Sequence, residues 1–184
     1  MKKQTNIGAL LRNLTRAAIC LALCMVLPFL TGQIPQIGSA LSPMHIPVLL
    51  GGFLCGPAWA AAVGFIAPLL RFALFGMPPI FPTGLAMSFE LMVYGLVSGG
   101  LYACLPKRTG SIYVSLLTAM LAGRVVWGVM MAVLMGLSGG TFTFAAFVAG
   151  AFTNAIPGII VHIVFIPVLV MALKKCGLME RDTL

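Results

Sequence analysis

Three charges stand inside long apolar stretches of this chain: Arg71, Glu90 and Arg124. A charge in such a place is costly and asks for a partner or a ligand. Helices are expected over 58–75, 83–104 and 111–137. A rise of about 1.5 Å per residue then puts Glu90 about 10 Å below the start of its helix. The same rise puts Arg124 about 20 Å along its own helix, and Arg71 at a similar level. The three charges are therefore expected to meet. Two arginines against one carboxylate leave one positive charge over, and arginine binds carboxylate or phosphate bidentately. Two chemistries fit: an ion pair that locks the helices, or a polar pocket for a ligand with an acidic group.

Other side chains fall near the same level. Asn154 lies beside Pro157 and Gly158, where a proline frees a backbone carbonyl that an amide or a ligand can use. His45 opens a short apolar segment and is placed to cap the pocket. Trp127 is one turn from Arg124 and can stack on a ligand or a guanidinium, or anchor the helix at an interface. His162 is expected deep towards the cytoplasmic side, away from that level, as a hydrogen-bonded packing residue. Trp59, Tyr102 and Tyr113 fit an aromatic belt. No catalytic set is visible: the chain has no GxxxxGK[ST] or HExxH stretch. No His/Asp/Glu cluster has metal-ligand spacing, so neither metal nor cofactor is expected. The five cysteines show no CxxC spacing and read as small buried apolar residues.

The elements that position these residues are membrane helices. Of 184 residues, 61% are hydrophobic and only 8% charged, against about a quarter charged in a soluble domain. The mean hydropathy is +1.12. The net charge of +8 comes from basic residues near helix ends, a membrane-topology pattern rather than a nucleic-acid footprint. One membrane domain over 1–184 is expected, all-α, with six transmembrane helices at about 10–30, 44–55, 58–75, 83–104, 111–137 and 142–173. The organising stretch is 42–71, an apolar hairpin bent at Gly56-Pro57. The sixth helix is long enough to hold a break near 154–158. The apolar run after Lys2, Lys3, Arg12 and Arg16 has no small-x-small cleavage site and reads as a retained first helix. With six helices, nine lysines and arginines fall on the side of both termini, and none in loops 31–43, 76–82 and 138–141. That asymmetry predicts cytoplasmic N- and C-termini.

Small residues mark close helix contacts. Gly52/Gly56, Gly95/Gly99 and Gly136/Gly140 are GxxxG pairs. Ala18 and Ala22 form AxxxA on one face of the first helix, with Thr15 extending it towards the basic end.

The combination resembles the S components of energy-coupling factor (ECF) transporters. It rests on the basic N-terminus, AxxxA in helix one, a long first outer loop, MHIPVLLGGF opening a short second helix, the Gly-Pro turn and six helices in 184 residues. The resemblance implies a substrate-binding subunit in a bacterial plasma membrane that captures a vitamin or related micronutrient from outside. It implies a transmembrane coupling protein and two cytoplasmic ATPases as partners, in an ABC-type importer. Thr15, Ala18 and Ala22 would face the coupling protein, and substrate would sit between the outer loops and helices four to six. The expected ligand is a small vitamin with an acidic group, pantothenate first and niacin second, held under loops 31–43 and 76–82. A scaffold or small channel subunit with purely structural charges is the alternative, and an intramembrane enzyme lacks the nucleophile or metal site it would need.

Overall fold

The computed structural model describes residues 7–31 and 40–179. Most of the expected lid loop 31–43, together with Lys2, Lys3 and Arg181, lies outside them. The described residues are helical, with no strand. Helix α1 spans Ile7–Val26 and loosens into a 3₁₀ turn at Leu27–Thr31, where Pro28 has no N–H to continue the α pattern. Helix α2 is His45–Cys55. It ends at Gly56, whose φ of 84° suits glycine, and Pro57 begins α3, Pro57–Phe75. Gly76 closes α3 in the left-handed conformation, its N–H donating to Phe72 O at 2.8 Å. A kinked segment, Ile80–Gly84, in which Phe81 is extended (φ −118°, ψ 134°), leads into α4, Leu85–Cys104. Helix α5 is Thr109–Leu137.

The single expected sixth helix is in fact two. Helix α6 is Phe144–Ala151, capped by Thr143 Oγ1 accepting the Ala146 N–H at 3.2 Å. A 3₁₀ turn, Thr153–Ala155, joins it to α7, Ile156–Lys175. Pro157 lacks the N–H that would reach back to residue 153, so a continuous helix cannot pass and the break falls just before it. Among the described residues, five segments are long and apolar enough to cross a membrane: Ile7–Leu30, Pro57–Phe75, Ile80–Cys104, Thr109–Leu137 and Phe144–Lys175. Helix α2, with 11 residues, is about 16 Å long and is too short to span a core of about 30 Å alone.

Helix α4 holds the centre, packed on α2, α3 and α5. Glycines set that closeness. A Cβ on Gly95 would stand 2.4 Å from the Ala60 carbonyl carbon, and one on Gly64 2.3 Å from Leu91 O. Gly52 and Gly99 meet across α2 and α4 in the same way. The other side of the bundle is apolar outwards: Val114, Leu117, Leu121 and Val125 form an exposed stripe along α5. Such a stripe is a lipid face, since a water-facing helix would be polar there.

Candidate functional site

Four helices bring polar side chains to one buried level. Glu90 of α4 is 1% exposed. Its Oε1 accepts a hydrogen bond from Tyr94 Oη at 3.1 Å and lies 3.1 Å from Arg124 Nη1 of α5. His45 Nε2 of α2 is 3.6 Å away, an ion-pair distance too long for a hydrogen bond. The His45 ring meets Tyr94 edge-on at 5.3 Å and stacks on His162 of α7 at 6.0 Å and 24°. Among the described residues, Arg124 Nε has no hydrogen-bond partner. The cluster is thus one carboxylate facing more donors than it can satisfy, which suits a ligand that accepts hydrogen bonds. Counting from the helix ends that carry Lys107 and Lys174, Glu90, Arg124 and His162 all stand about 20 Å up.

The convergence of Arg71 with this pair does not occur. Arg71 is buried elsewhere: its Nη1 donates to Met25 O at 2.8 Å, and its guanidinium lies over Phe29 and Phe75, 5.3 and 5.2 Å from their ring centroids. It pins the end of α1 to the end of α3. With Arg71 absent, no formal positive charge is left over beside Glu90 and Arg124. Asn154 is exposed in the 3₁₀ turn between α6 and α7, apart from the cluster. Trp127 does lie one turn from Arg124, but its ring is engaged by Phe142 at 5.8 Å and Phe147 at 6.5 Å. It holds α6 against α5.

Two histidines move in the opposite direction. His162 is not a remote packing residue: 13 residues above Lys175, it reaches the Glu90 level. His45 opens α2 as expected, but α2 is so short that its start is buried and not a surface mouth. Tyr94 was missed. Its signal was the i, i+4 spacing from Glu90 on one helix face.

The other end of the bundle is basic. Arg16 Nη1 donates to Leu54 O at 2.9 Å, and Arg16 also bonds Leu178 O. Lys107 Nζ donates to Tyr102 O at 2.7 Å, and Lys174 Nζ to Lys107 O at 3.1 Å. Tyr102 is no belt residue; it is buried against Phe53.

The family model "ECF transporter, substrate-specific component" matches residues 12–170, most of the chain. The chain belongs to that family. No curated protein and no solved structure matches it. A substrate-specific component is a multi-pass membrane subunit for transport, and it works with an ECF module of transmembrane and ATPase subunits. On this S component the small residues of α1 face outwards. Thr15, Ala18 and Ala22 are exposed, while Ala17, Cys20 and Cys24 fill the opposite, buried face. The Thr15 hydroxyl is turned onto its own helix, donating to Leu11 O at 2.9 Å.

Proposed function

We propose that this S component captures a small water-soluble vitamin bearing an acidic group, with pantothenate the first candidate and niacin the second. Glu90, Arg124, His45, Tyr94 and His162 would form the floor of its site. The observation that carries this reading is the donor excess around one buried carboxylate, with Arg124 Nε unpaired. A ligand carboxylate or carbonyl accepts from such groups. The lysines and arginines at one end favour a cytoplasmic position for that end, which would leave the site in the outer part of a bacterial plasma membrane. The loaded subunit would pass its cargo inwards through a coupling protein docked on the face of Ala18 and Ala22, driven by ATP hydrolysis in two partner subunits.

A second reading has its own observation. Arg124 and Glu90 are both buried and already paired at 3.1 Å, as a structural lock would be. Two measurements separate the readings. Mass spectrometry of small molecules that co-purify with the protein identifies a ligand. Binding affinity and thermal stability of Arg124→Ala and Glu90→Gln locate it. In the site reading Arg124→Ala weakens binding of an anionic vitamin by about 2–5 kcal/mol. Glu90→Gln leaves that binding nearly unchanged or strengthens it. If instead both variants lose about 3–5 kcal/mol of stability with affinity unchanged in the folded fraction, the pair is structural only.

A further inference from the structure

At the basic end a cavity of about 220 Å³ opens between α1, α2, α4 and α7, lined by Arg16, Lys107, Lys174, Tyr102, Phe53 and Met179 among others. Its lining holds three cations and no carboxylate. The chain has three acidic residues; Glu90 is about 20 Å away along α4, and Glu180 and Asp182 lie outside the described residues. Two of the cations lie over one aromatic ring: Lys107 Nζ is 4.2 Å and Lys174 Nζ 5.8 Å from the Tyr102 ring centroid. The ring and two backbone carbonyls hold the ammonium groups in place, and among the described residues no carboxylate balances their charge. Each ammonium has three donors and is given one carbonyl, so further N–H groups remain for an acceptor. The Tyr102 hydroxyl is also buried without a hydrogen-bond partner.

We propose that this cavity is a binding site for a phosphate group, brought by an anionic phospholipid headgroup or as free phosphate. Several converging donors on one multiply accepting anion is the chemistry that phosphate recognition uses. The cavity lies at the end of the spans, where headgroups sit. The site is independent of the Glu90 cluster and of which vitamin is carried.

The test is native mass spectrometry of the full chain in neutral detergent, with phosphatidylglycerol, phosphatidylcholine or inorganic phosphate added. Phosphatidylglycerol or inorganic phosphate is expected to be retained over phosphatidylcholine, whose choline cation meets the same lysines. Lys107→Gln/Lys174→Gln should lose at least about tenfold of that binding. Arg108→Gln/Lys175→Gln removes the same charge from exposed neighbours outside the cavity lining and should lose less than about threefold. Retention of the lipid alone assigns the headgroup; retention of inorganic phosphate with the same dependence on the lysines assigns the free anion. Lys174→Gln alone serves if the first double variant does not fold, and should show a partial loss. Equal losses in the two double variants would reduce the site to diffuse surface charge and overturn the proposal. So would failure to retain either anion, or retention only after Glu180→Gln/Asp182→Asn, which would make the tail carboxylates the occupants.

Discussion

At the scale of single residues, the two buried arginines do different work. Arg124 faces a carboxylate. Arg71 faces a main-chain carbonyl and two aromatic rings, which themselves meet edge-on at 5.0 Å. Arg71→Met keeps the length and apolar stem but removes the charged donor. It should lower stability by about 1–3 kcal/mol, the worth of a charged hydrogen bond, and leave ligand affinity unchanged. A fall in affinity at unchanged melting temperature would return Arg71 to the site. The sequence showed that Arg71, Glu90 and Arg124 each needed a partner, and depth arithmetic put all three at similar levels. Depth says nothing of azimuth around the bundle, and azimuth is what sends Arg71 towards α1 instead of α4. The same arithmetic, applied to His162 from the basic end of its helix, would have found it.

At the scale of elements, glycine decides which helices touch. Gly52/Gly56 and Gly95/Gly99 were legible as close-contact pairs, and Gly52, Gly95 and Gly99 are indeed where α4 meets α2 and α3. Gly56 and Gly136 have open space around a Cβ, so those two members are spacing without contact. Gly64 was invisible because its partner is backbone on another helix and not a glycine four residues on. Gly95→Leu should destabilise the bundle by more than the usual ~1–3 kcal/mol of overpacking, because the obstacle is the Ala60 backbone. Gly100→Ala, with nothing within 4 Å, should be neutral or raise stability by up to about 1 kcal/mol through helix propensity. Melting in detergent compares the two; equal effects would mean that propensity, not contact, governs α4. The outward small face of α1 makes the complementary case. Ala18→Trp adds bulk at a position exposed among the described residues, so ligand binding in detergent should survive while uptake with the partner subunits is lost. Loss of both together would place that face inside the fold.

At the scale of the whole molecule, the question is which end faces which side. The ends of α2 and α4, the segment around the end of α7, the middle of α1 and the loop before α5 are tied together by the bonds of Arg16, Lys107 and Lys174. The positive-inside asymmetry predicts a cytoplasmic position for that end, in line with the proposed function. The sequence located these helices to within a few residues because each is an apolar run bounded by glycine, proline or lysine. It also marked a break in the last span near 154–158, from Asn154, Pro157 and Gly158, and the structure has it at Thr153–Ala155, just before Pro157. Helix α5 offers a clean test, since its 29 residues reach about 43 Å and its two ends must lie in different compartments. The native cysteines sort themselves for the purpose. Cys20, Cys24 and Cys55 are buried, while Cys104 and Cys176 are exposed at the basic end. The unaltered protein in intact cells should therefore resist an impermeant maleimide and react only after permeabilisation. Ser138→Cys puts one exposed thiol just past the far end of α5. That variant should label in intact cells, at a rate that permeabilisation leaves nearly unchanged. Labelling of the unaltered protein in intact cells, with Ser138→Cys reacting only after permeabilisation, would invert the molecule, and the Glu90 cluster would then open towards the wrong compartment for capture from outside.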